Sequence, residues 1–80
     1  MNIPTIDHSL VARSESAATG ATIHELNGIL GCYRDAHRRI NSILADPKLA
    51  ELLADNVKQA NEAEARLRAF LGRAYAAKVV

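Results

Sequence analysis

From Ile23 onward, apolar residues recur at Ile23, Leu26, Leu30, Tyr33, Ile40 and Leu44, with Ile29 and Ile43 widening the stripe. That three-four spacing predicts an amphipathic helix, with only His37 interrupting its seam. The stretch Ala45-Asp46-Pro47 ends it: the residue before a proline avoids helical geometry, Asp46 suits a helix cap, and Pro47 suits a first helical position. Residues 46–47 are therefore read as a turn. The pattern resumes at Leu49, Leu52, Leu53, Val57, Ala60, Leu67, Phe70, Leu71 and Ala74 with no internal proline. It predicts a second helix over residues 48–77, about 45 Å long at roughly 1.5 Å per residue.

Two starts compete for the first helix. Thr22-Ile23-His24-Glu25 has the form of a capping box and favours a start at Ile23. The segment Ser9 to Thr19 is also compatible with helix, and Gly20 costs only about 1 kcal/mol inside one. The longer helix, residues 9–45, is the expectation, preceded by an irregular arm over residues 1–8 that contains Pro4. No strand pattern, internal repeat or low-complexity run interrupts this single domain.

The expected fold class is all-α, an antiparallel helical hairpin that dimerises into a four-helix bundle. Each helix has an apolar arc wider than one partner can cover, and a monomeric hairpin would expose a patch that monomers rarely carry. Composition points the same way. With one Phe, two Tyr and no Trp in 80 residues, the core must be aliphatic, and a core of this size needs supplementing. The lone Cys32 offers no internal disulfide and suits a reducing compartment. No signal-peptide pattern or membrane-spanning apolar run is read, so the working location is the cytoplasm. Ten Lys and Arg against nine Asp and Glu leave a net charge of +1, which makes nucleic acid an unlikely partner.

His24 stands apart from the fold. At 100° per residue the apolar positions fill an arc of about 160°, and His24 lies about 160° from its centre, facing solvent. On the same side are Gly28 and Gly31, which leave the flanks of the imidazole bare. Such a strip lets another protein come close, although an exposed histidine on a helix is also simply a solvated residue.

The order His24-Glu25-Leu26-Asn27-Gly28-Ile29-Leu30-Gly31 resembles the phosphoacceptor box of sensor histidine kinases, in which His is followed by an acidic, an apolar and an Asn or Arg residue. The turn at Asp46-Pro47 and the run Arg66-Leu67-Arg68-Ala69-Phe70-Leu71-Gly72-Arg73 are similar to the hairpin and second-helix ending of the dimerisation and histidine-phosphotransfer domain. The resemblance extends over roughly Leu10 to Tyr75.

It implies that His24 accepts a phosphoryl group and passes it to an aspartate of a response-regulator receiver domain. Glu25 would be its hydrogen-bond partner or base, and Asn27, Gly28, Gly31 and Arg34 the partner-binding positions. A neutral imidazole has one nitrogen free to attack phosphorus, and a carboxylate can fix the tautomer through the other. ATP and magnesium would be held by an ATP-binding kinase domain, in trans or in a C-terminal part, so no cofactor and no autonomous kinase activity are expected of this chain. Gly28 stands where kinases that also act as phosphatases carry Thr or Asn, so phosphatase activity is not carried over.

Other features are weaker. His37 is read as a core or interface histidine, and His8, His24 and His37 have no metal-ligand spacing. Arg34, Arg38 and Arg39 form a basic cluster that suits an acidic partner, a phosphate or plain solvation. The alternatives to phosphotransfer are a non-catalytic decoy or adaptor that binds a kinase or regulator, a small nucleic-acid binder, and a secretion-filament subunit.

Overall fold

The computed structural model describes residues 2–79, and among them the regular structure is entirely helical. It comprises α1 (His8–Ala17), α2 (Ile23–Ala45) and α3 (Leu53–Val79), with a 3-10 segment, Pro47–Leu52, joining the last two. Helices α2 and α3 run antiparallel, as their cross-links show: Glu25 meets Arg73, Tyr33 meets Glu64, and Arg39 meets both Asn56 and Gln59.

The continuous helix expected over residues 9–45 is instead broken at 18–22. Asp7 starts α1, its carboxylate accepting the Leu10 N–H at 3.0 Å. The helix stops at Ala18, whose backbone is extended. Thr22 then closes a tight turn: its hydroxyl accepts the Thr19 N–H at 2.9 Å, while the Thr19 carbonyl accepts from Thr22 and Ile23. The helix therefore starts at Ile23, as the rival capping-box reading has it, but the Thr22 hydroxyl is spent inside the turn and makes no cap hydrogen bond to the helix. Packing supplies the driving force. A straight continuation would carry Leu10 about 20 Å beyond Ile23, away from the apolar residues of α3 on which it rests.

The second boundary also shifts. Asp46 is extended and accepts the Lys48 N–H at 3.0 Å, and the Leu49 N–H donates to the Asp46 carbonyl. These three-residue closures make Pro47–Leu52 a 3-10 segment rather than the first turns of an α-helix over 48–77. Leu52 is 50% exposed in consequence, and Leu44, at the opposite side of the connection, 53%. Both were expected on the apolar seam, as was Ile23, which is exposed at the head of α2.

All three helices contribute to the main core. Leu10, Val11 and Ala17 of α1 pack with Leu26, Ile29, Leu30 and Tyr33 of α2 and with Leu67, Phe70 and Leu71 of α3. A smaller cluster of Ala36, Ile40, Val57 and Ala60 continues towards the connection. The cover that sequence periodicity assigns to a second chain is thus supplied in part by α1 of the same chain.

A polar tie fixes the N-terminal segment. The Tyr33 hydroxyl accepts the Asp7 N–H at 3.0 Å and donates to Glu64 at 3.4 Å, and Arg68 lies 3.6 Å from the carboxylates of both Asp7 and Glu64. Burial pushes the Tyr33 phenol up; the Asp7 N–H bond opposes this and the charges of Glu64 and Asp7 reinforce it.

Candidate functional site

The break before Ile23 places His24 in the first turn of α2, where its ring is exposed. Beside it runs a groove of about 340 Å³ between α2 and α3. His24, Glu25, Gly28 and Ile29 line one wall; Arg66, Ala69 and Arg73 line the other.

The expected Glu25–His24 hydrogen bond is not made among the described residues. The Glu25 carboxylate is engaged by the Arg73 guanidinium across the groove, an ion pair with both side chains at least half exposed. This pair divides the His24 groove from a second, apolar one of about 330 Å³, walled by Ala17, Phe70, Ala74 and Ala77, to which Glu25 and Arg73 also belong. The pairing follows from the antiparallel register, which sets the first turn of α2 against the last turns of α3.

Gly28 lines the groove, and a methyl group built on it or on Gly31 would meet nothing within 4 Å. Replacing Gly28 with alanine is therefore expected to stabilise the fold by about 1 kcal/mol through helix propensity, read as a higher urea midpoint. An unchanged or lower midpoint would mean that the position is crowded.

The other candidate positions lie elsewhere. Asn27 and Arg34 are exposed but sit about 60° and 80° around α2 from His24, on the flank away from the groove. Gly31 is exposed and is not among the groove's lining residues. The basic cluster is dispersed: Arg38 pairs with Asp35 at 3.0 Å, and Arg39 donates to Asn56 and Gln59, each at 2.8 Å. Arg34 makes no ion pair among the described residues.

No family model matches the chain, nor does any curated protein or solved structure. The site is therefore read from its own geometry. Among the described residues no three His, Cys, Asp or Glu side chains converge as a metal site, and no helix is long and apolar enough to cross a membrane. His37 is buried between the helices with its ring edge-on to Tyr33, at a centroid distance of 4.8 Å, and is closed to ligands.

Arg66 and Arg73 also line the candidate groove, although the sequence pointed to them only as the ends of a run that resembles a second-helix ending. They stand seven apart, two turns along one face of α3, and a same-face pair of arginines was the available signal. Which face of α3 meets His24 depends on the register across the connection.

Proposed function

We propose that the chain is a phosphotransfer module in which His24 receives a phosphoryl group and passes it to a receiver-domain aspartate. The observation that carries this reading is an exposed imidazole at the head of α2, beside an open groove and a glycine that leaves its flank bare. The lone pair of one ring nitrogen attacks the donor's phosphorus, and an N–P bond forms as the donor's bond to phosphorus breaks. The leaving group departs with that bonding pair, and the proton of the other ring nitrogen passes to solvent. In onward transfer a receiver carboxylate oxygen attacks, the N–P bond breaks, and the imidazole recovers its electron pair and a proton. Positioning and charge stabilisation dominate such transfers, and an incoming receiver or ATP-binding domain would bring the metal.

The test is labelling with phosphoramidate, whose leaving group is ammonia. Wild type is expected to gain an acid-labile phosphate on residue 24 and to lose it to a receiver domain, while His24→Gln gains none and stays folded. Absence of label on a folded wild type overturns the proposal. The engagement of Glu25 by Arg73, which takes the carboxylate from His24, favours a second reading: an adaptor or decoy that keeps the surface without the chemistry. In that case partner binding survives His24→Gln.

The homodimeric four-helix bundle implied by the resemblance needs the seam that Leu10, Val11 and Ala17 occupy. Docking of α1 and dimerisation through that seam are then alternatives for the same apolar surface.

A further inference from the structure

We infer that Arg66 and Arg73 form, with His24, a binding site for a phosphoryl dianion, and that Glu25 occupies Arg73 as an internal competitor of that anion. Three observations converge. Both guanidinium-bearing side chains line the same groove as the His24 ring, although they come from the other helix. The Glu25 carboxylate is already bound to Arg73, so that arginine reaches the α2 wall and accepts an oxyanion there. Arg66 makes no ion pair or hydrogen bond among the described residues, and the carboxylates of Asp35 and Glu62, with Arg39 between the same walls, line the adjoining groove that Arg66 also borders rather than this one.

The charge balance favours an anion. Two guanidinium groups face one carboxylate, which leaves one positive charge in the groove before the ligand arrives. The N-terminal end of α2 adds to it. The backbone N–H groups of His24 and Glu25 make no hydrogen bond among the described residues, and a helix start carries partial positive charge. The Glu25–Arg73 pair is solvent-exposed and so weakly held, whereas a phosphoryl group brings up to two charges and three acceptor oxygens to a fork-shaped donor. Exchange of the carboxylate for a phosphoryl oxygen on Arg73 frees Glu25 and brings the phosphorus beside His24.

The same chemistry serves a free phosphate, a small phosphoryl donor before attack, and the phosphoryl group once bonded to His24. The last two rest on the phosphoacceptor reading; the first does not. The probe is inorganic phosphate, titrated into the full chain while the His24 ring resonances are followed by NMR. Wild type is expected to saturate. Arg66→Gln and Arg73→Gln should each weaken binding about tenfold, the scale of one lost charge-assisted hydrogen bond. Glu25→Gln should tighten it, which a merely structural role for the ion pair would not do. Lys58→Gln, an exposed cation of α3 outside the groove, should leave it unchanged.

Binding in Arg66→Gln and Arg73→Gln equal to wild type overturns the inference, as does an equal loss in Lys58→Gln. Phosphoramidate labelling of the same variants separates the two proposals. Arginine-dependent phosphate binding without any label on His24 upholds the anion site and defeats the phosphoacceptor reading. Labelling at wild-type rates in both arginine variants, with no arginine dependence of phosphate binding, upholds the phosphoacceptor and defeats the anion site.

Discussion

Replacing Leu10 with alanine is expected to lower the free energy of unfolding by about 3 kcal/mol, within the range for a leucine removed from a packed core. Leu10 is only 1% exposed, and its neighbours come from all three helices, so no single element can relax to fill the space. For a domain of this size the loss is a large share of the total, and the melting temperature should fall by more than about 10 °C. Ser16→Ala, on the exposed side of α1, is the control and should stay within about 0.5 kcal/mol of wild type. Urea unfolding followed by circular dichroism reads both. A cost below about 0.5 kcal/mol for Leu10→Ala would mean that α1 is not docked and that the two long helices stand alone. Sedimentation adds a second readout, because the variant weakens cover over the seam. If a second copy competes for that seam, Leu10→Ala self-associates more strongly than wild type.

Leu10 also marks where sequence periodicity stops being informative. The spacing of apolar residues located the inward faces of the long helices, and Leu26, Leu30, Tyr33, Ile40, Val57, Leu67 and Phe70 are all buried. Periodicity alone does not say whether a helical segment continues its neighbour or folds back on it. Ser9 to Ala17 is helical, as its composition allows, but the choice between a straight rod and a turn was made by contacts distant in sequence. The two threonine hydroxyl groups that close the turn, from Thr19 and Thr22, look locally like a capping signal. The same hydrogen-bonding groups serve either purpose, and tertiary packing decides.

The site was half legible for a related reason. His24 and Gly28 were singled out because an exposed polar residue beside glycine on an otherwise amphipathic helix is visible in one dimension. Arg66 and Arg73 needed the register of α3 against α2. The paired positions 25 and 73, 33 and 64, and 39 and 59 each add to 97 or 98, whereas a tight turn centred on residues 46–47 would give 93. The 3-10 segment accounts for the difference, since Pro47–Leu52 is spent on the connection rather than on the helix pair. Glu25 shows the consequence. Read beside its chain neighbour it is a base for His24; read across the corrected register it is the counter-ion of Arg73.

The second large effect concerns His37, which should make the fold sensitive to mild acid. Its side chain is buried, the residue being 5% exposed, and its Nε2 has no hydrogen-bond partner among the described residues. Burial holds its pKa below the ordinary value, and the charge of Glu64 opposes that only in part. Above about pH 6.5 the imidazole is neutral in the folded and unfolded chain alike, so the stability is fully present. As the pH falls below that value the unfolded chain takes up a proton that the folded chain resists, and stability is lost until the lowered folded-state pKa is passed. Replacing His37 with leucine removes the proton-binding difference together with an unsatisfied polar atom, whose burial costs about 1–3 kcal/mol. Against this stands the lost edge-on contact with Tyr33, worth about 1 kcal/mol. The balance predicts that His37→Leu is more stable than wild type by about 1 kcal/mol at pH 7.5 and by more at pH 5.5. Urea midpoints across this interval test it, because the carboxylates that dominate acid unfolding titrate mainly below it. Parallel pH dependences in wild type and His37→Leu would show that His37 is hydrated or partnered in the folded chain. A constant gap of about 1 kcal/mol at high pH that widens as the pH falls would identify His37 as the proton-linked group of the core.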